Sequence, residues 1–125
     1  MSSVLVVDDD PTLLRIIETV LSSAGLDVSS RRTGHAALRA AHAHRPDCAI
    51  LDAALDPAGH DMDAATLCRA LRNGAGTADV PILLLTGRGR WLEVAAAFDA
   101  GADDYLPKPF TAQDLLSRVA SLTSA

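Results

Sequence analysis

Short, unbroken apolar runs alternate along this chain with segments whose apolar residues recur at helical spacing. Val4-Leu5-Val6-Val7 is the first such run. A segment apolar at every position has no wet face, so it reads as a strand buried on both sides, as in a parallel sheet. Leu13, Ile16, Ile17, Val20 and Leu21 then mark one face of a helix, with Gly25 as its stop. The cycle repeats with a weak strand over Asp27–Arg31, an Ala-rich helix from Gly34 to His44 and the strand Cys48–Leu51. A helix marked by Leu67, Ala70 and Leu71 leads to a strand over Val80–Leu85, whose proline sits near its start. A helix over Trp91–Ala100 ends at Gly101, and a short strand at Asp104–Leu106 precedes a last helix carrying Leu115, Leu116, Val119 and Leu122. Five strands alternating with five helices predict an α/β domain with a parallel sheet covered on both faces. The 125 residues suit one domain over 1–125, any output domain lying outside this chain.

The first, third and fourth strands are strongly apolar, whereas the second and fifth are polar or short. Central strands are buried on both sides and edge strands are not, so the second and fifth belong at the edges. This is the doubly wound, flavodoxin-like order 2-1-3-4-5, whose ligand crevice lies at the carboxyl ends of strands one and three. A net charge of −5 argues against nucleic-acid binding by this domain, because phosphate backbones select basic surfaces. No apolar run approaches the roughly 20 residues of a membrane span, and no leader pattern is visible, so a cytoplasmic, membrane-free domain is expected. Cys48 and Cys68 sit within apolar patterns, outside any CxxC motif, and read as buried thiols. The histidines His35, His42, His44 and His60 read as helix-surface and loop residues.

Polar residues follow directly on the strands: Asp8-Asp9-Asp10 after the first, Asp52 at the third, Thr86 at the fourth and Lys108 at the fifth. In a parallel sheet these ends share one rim. Carboxylates gathered there repel one another unless a cation lies among them, and an all-oxygen donor set suits Mg²⁺. A carboxylate can act as nucleophile and form an acyl phosphate, and the migrating group needs its spread negative charge stabilised. A metal, a lysine ammonium and a hydroxyl supply that, and Lys108 is the only lysine in the chain. Taken singly, each residue also has a bland reading, as Asp10 before Pro11 does as a helix N-cap. Their joint occurrence at successive strand ends argues for chemistry.

At these positions the chain resembles the receiver domains of two-component response regulators. The resemblance rests on Val4-Leu5-Val6-Val7-Asp8-Asp9-Asp10-Pro11, Pro46-Asp47-Cys48-Ala49-Ile50-Leu51-Asp52, Pro81-Ile82-Leu83-Leu84-Leu85-Thr86-Gly87 and the segment from Gly101 through Tyr105-Leu106-Pro107-Lys108-Pro109 to Phe110. It implies a signalling switch, not an enzyme acting on other substrates: the domain catalyses only its own phosphorylation and dephosphorylation. Asp52 would be the phosphoacceptor, modified to 4-aspartylphosphate. Asp9 would bind Mg²⁺ directly, Asp8 mostly through water, with Asp52 and the Ala54 carbonyl completing the ligands. Thr86 would be the switch hydroxyl, Tyr105 the aromatic that turns inward, Lys108 the phosphate contact, and Lys108–Pro109 a cis peptide. The implied donor is a phosphohistidine on a sensor histidine kinase or phosphotransfer protein.

The sequence departs from the family pattern in places. Asp56–Asp63 is about four residues longer than the usual loop after the phosphoacceptor strand. Ala64 stands where a glycine is usual in the family, and the resemblance implies that Arg88, two after Thr86, would flank the reacting water together with Ala54. In the winged-helix subfamily, active receivers form homodimers through charge pairs on the fourth helix, fifth strand and fifth helix. Asp103, Asp104, Asp114 and Arg118 match that pattern, but Val94 replaces the expected basic residue. Two rival readings exist. One is a receiver-like interaction module independent of phosphorylation. The other is a haloacid-dehalogenase-type phosphohydrolase with Asp8 as nucleophile, suggested by Asp8-Asp9-Asp10-Pro11-Thr12.

Overall fold

Alternation within each strand divides the core. In β1 (Ser3–Val7), Val4 and Val6 point to one face of the sheet and Leu5 and Val7 to the other, because successive side chains reverse direction. The computed structural model describes residues 2–56 and 58–124. Its remaining elements are α1 (Pro11–Ser23), β2 (Asp27–Arg31), α2 (Gly34–Ala43), β3 (Cys48–Asp52), α3 (Ala64–Asn73), β4 (Ile82–Thr86), α4 (Trp91–Asp99), β5 (Asp104–Pro107) and α5 (Ala112–Thr123). The five strands form one parallel sheet of order β2-β1-β3-β4-β5, with the polar strands at the edges as their composition predicts.

On one face, Leu14, Ile17 and Leu21 of α1 and Leu115 and Val119 of α5 close over Val4, Val6, Ile50, Leu83 and Leu85. On the other, Ala37 and Ala41 of α2, Leu67, Cys68 and Leu71 of α3 and Ala97 of α4 cover Leu5, Val7, Ala49, Leu51, Ile82 and Leu84. Both cysteines are free and buried, and burial pushes the Cys48 thiol up to about 12, so it stays protonated.

The helix starts are chemically specified. Asp10, Thr33, Asp63 and Thr111 each accept a bond from a backbone N–H of the first turn, at α1, α2, α3 and α5 respectively. α4 differs. Arg90 at its N-cap makes no side-chain cap, Ala97 is its one buried residue, and Trp91 and Leu92 are 76% and 84% exposed. Strand β4 starts at Ile82, later than the apolar run suggests. The Val80 N–H closes a turn onto Thr77, and Pro81 has no N–H, offering only its carbonyl to Ala49.

Candidate functional site

Each strand of the sheet runs toward the same rim, so residues far apart in sequence meet there. Carboxylate oxygens of Asp8, Asp9 and Asp52 come within 4.8 Å of one another. Asp8 and Asp52 are buried, at 1% and 6% exposure. Lys108 on the loop after β5 brings Nζ to 3.4 Å from Asp52 Oδ1. The Ala54 N–H donates to that same oxygen at 3.2 Å, which ties the start of the β3–α3 loop to the carboxylate. Among the described residues, Asp8, Asp9 and Asp52 are the only group of three or more potential metal-ligating side chains drawn this close.

The two oxygens of Asp8 have different fates. Oδ1 accepts from the Asp10 N–H at 2.9 Å, while Oδ2 is buried with no partner. Burial, seconded by the negative charges of Asp52 and Asp9, pushes the Asp8 carboxyl up to about 7, against the pull of the Asp10 N–H and Lys108. A buried, unpartnered carboxylate oxygen facing two more carboxylates is an unmet demand for positive charge. The donor set is all oxygen, so the residues fit Mg²⁺.

Thr86, 7% exposed, ends β4 and donates from Oγ1 to the Gly87 carbonyl at 3.2 Å. Tyr105 on β5 is 42% exposed and meets Phe98 edge-to-face, with ring centroids 6.2 Å apart. Between them opens a cavity of about 250 Å³ lined by Thr86, Trp91, Val94, Tyr105, Pro107 and Lys108. The Lys108–Pro109 peptide is cis. The charged residues of the fifth strand and helix, and Asp103 just before the strand, are paired inside the chain: Asp104 with Arg118 at 2.9 Å, Asp103 with Arg72 at 2.8 Å, and Asp114 in a capping box with Thr111.

The response regulator receiver domain profile matches residues 4–120. The chain belongs to that family. This receiver domain is 38% identical over 122 residues to the DNA-binding dual master transcriptional regulator RpaA of Synechocystis sp., covering 98% of the chain and 49% of RpaA. The domain thus spans about half the length of the relatives it matches in this way. Its fold superposes with a TM-score of 0.88 on a crystal structure named as a response regulator from Chloroflexus aurantiacus, 39% identical and covering 99% and 98% of the two chains. It superposes at 0.89 on the receiver domain of a Pseudomonas aeruginosa sensor histidine kinase, 28% identical, covering 99% and 98%, which was solved with a magnesium ion coordinated in its active-site cleft. Receiver domains of response regulators are signalling modules rather than classical enzymes, and the phosphohydrolase reading of Asp8–Thr12 is set aside.

Two features around the site have no signal in the sequence pattern. The loop after β3 is latched to α2. Asp56, at φ 59°, accepts from the His60 and Asp61 N–H groups, and Asp61 Oδ1 accepts from the His35 N–H and sits 3.0 Å from His35 Nδ1. Met62 packs against Gly34, where an added Cβ would lie 2.6 Å from the Met62 Cβ. Second, Arg32 Nη2 donates to the Asp9 carbonyl at 3.0 Å. Neither is announced by periodicity, since both depend on irregular backbone; Pro57 of the loop lies outside the described residues.

Proposed function

We propose that the domain is a phosphorylation switch in which Asp52 takes a phosphoryl group from a phosphohistidine of a sensor histidine kinase or phosphotransfer protein. The observation that carries this reading is the setting of Asp52, a buried carboxylate on a central strand, between Asp8 and Asp9 on one side and the Lys108 ammonium on the other. An Asp52 oxygen attacks phosphorus, the phosphorus–nitrogen bond of the donor breaks, and the imidazole leaves with the bonding electrons and takes a proton from solvent. Lys108, already 3.4 Å from Asp52, meets the negative charge spreading over the phosphoryl oxygens. Asp8, Asp9, Asp52 and the Ala54 carbonyl would hold Mg²⁺, which supplies charge neutralisation and orientation for the transferred group. Asp8 must lose its proton for the acidic set to act together, so metal affinity rises with pH through about 7.

The output follows from Thr86. Its hydroxyl leaves the Gly87 carbonyl for a phosphoryl oxygen, and the Tyr105 ring turns from its exposed position into the space beside it. This reshapes the α4–β5–α5 face, where a homodimer or other protein partner docks. The coupling is bounded by the difference in interaction of the phosphoryl group with the two arrangements. A domain of net charge −5 does not itself take up nucleic acid in this scheme.

Incubation with acetyl phosphate and Mg²⁺ tests the transfer by intact mass. One phosphoryl group is expected on the wild type, and none on Asp52→Asn or in EDTA. A full mass shift surviving in Asp52→Asn would sink the proposal. For the switch, a beryllofluoride mimic should slow amide exchange over residues 86–98 in the wild type and much less in Thr86→Ala.

A further inference from the structure

We infer that Arg32, on the turn between β2 and α2, is a positioning residue for the acidic pair, holding the Asp9 peptide in the orientation that presents Asp8 and Asp9 to the site. This rests on the phosphorylation reading above, and concerns a residue that reading does not use. Asp9 lies where regular hydrogen bonding lapses. The β1–β2 ladder ends with the Asp8 N–H donating to the Arg31 carbonyl at 3.2 Å, and the first bond of α1 is accepted one residue beyond Asp9, by the Asp10 carbonyl from the Leu14 N–H. The Asp9 carbonyl falls between the two, and it is the Arg32 guanidinium that fills the gap, from a residue 23 positions away. Consecutive residues of the β2–α2 turn thus grip the acidic turn, Arg31 by its main chain and Arg32 by its side chain.

The geometry constrains what the contact does. The neighbouring Asp10 N–H is already committed to Asp8 Oδ1 and the Asp10 side chain to the Thr12 N–H. The peptide between Asp9 and Asp10 is therefore fixed on its N–H side by Asp8 and on its C=O side by Arg32. Releasing the carbonyl frees that peptide to rock, and the Asp8 bond and the Asp9 side chain move with it. Arg32 also carries a positive charge toward a site that takes up a cation. As a mere charge it would weaken Mg²⁺ binding, whereas as a clamp it strengthens it. The two roles predict opposite signs for its removal, which makes the inference decidable.

The test is calorimetric titration of the intact domain with Mg²⁺ alone at pH 8, comparing wild type, Arg32→Ala and Arg32→Lys. The Mg²⁺ affinity of Arg32→Ala should fall about threefold to tenfold, on the order of the net worth of one solvent-exposed hydrogen bond. Arg32→Lys, which keeps a donor, should recover most of it. The melting temperature in EDTA should stay near wild type, because Arg32 is exposed. Equal or tighter Mg²⁺ binding by Arg32→Ala overturns the inference. So does a loss of affinity matched by a fall of several degrees in metal-free melting, which would make the contact one that supports the fold alone. A wild type that takes up no Mg²⁺ refutes instead the phosphorylation reading on which the inference stands.

Discussion

At the amino-terminal end of the sheet, Arg72 reaches from α3 to the carbonyls of Gly101, Ala78 and Val80 and to the Asp103 carboxylate, over distances of 2.6 to 3.1 Å. Asp103 in turn accepts from the Ile82 N–H at 2.8 Å, and Gly101 is the residue that lets the arginine stem lie so near, since a Cβ there would meet Arg72 Cγ at 2.8 Å. At the carboxyl end of the same strands, Asp8 has a buried oxygen with no partner, and Asp52 has its lysine at 3.4 Å. Both ends concentrate charge, but only the first has satisfied it. A folded chain satisfies its buried polar groups unless a function needs them otherwise. On the proposed reading, the chemistry sits at the unsatisfied end and the framework at the other.

The contrast breaks if the Arg72 network proves dispensable. Arg72→Ala removes a hub serving three carbonyls and a carboxylate, and should cost on the order of 2–3 kcal/mol in urea unfolding. Its Mg²⁺-induced rise in melting temperature should match that of the wild type, because nothing at the acidic rim has changed.

Asp8 sharpens the contrast from the other side. Its carboxyl is at about 7 in the folded chain against 3.8 ordinarily, so between those values the folded state binds a proton that the unfolded state does not. Stability in metal-free buffer should consequently fall as pH rises from about 4 to 7. Asp8→Asn escapes that loss, and should be more stable than wild type at pH 8 by on the order of 1–2 kcal/mol, with the advantage gone at pH 4. Mg²⁺ should stabilise the wild type at pH 8 by linkage and the variant much less. An advantage undiminished at pH 4 would show that the gain is not electrostatic.

Asp8, Asp52 and Thr86 could be placed on one rim because β1, β3 and β4 are apolar on both faces, and Lys108 joins them because parallel strands end together. The same pattern puts β2 and β5 at the edges. What periodicity does not reach is the irregular backbone. The left-handed turn at Asp56, the three bonds to Asp61 and the seat of Met62 against Gly34 depend on contacts between loops. Arg32 is equally silent, as one of ten arginines until the fold brings it to Asp9. In α4 the apolar letters of Trp91 and Leu92 suggest burial that the packing does not provide.

The smallest expected effect lies at the start of α3, beyond the loop that leaves the carboxyl end of β3. Bonds from Thr66 hold the Asp63 carboxyl below its ordinary 3.8, so its contribution to stability is present above that value and lost as pH falls through the lower folded one. Asp63→Ala should cost about 1 kcal/mol at neutral pH, as loss of an N-cap does, and less in acid. Equal costs at pH 7 and pH 2.5 would deny the carboxylate its capping role.

The central claim is that the unsatisfied end of the sheet exists to modify Asp52. Borohydride reduces an aspartyl phosphate to homoserine, which marks the acceptor permanently in a peptide digest. After treatment with acetyl phosphate and Mg²⁺, homoserine is predicted at position 52 and at no other position. Homoserine at position 8, or its absence from a protein that binds Mg²⁺ normally, would contradict the account.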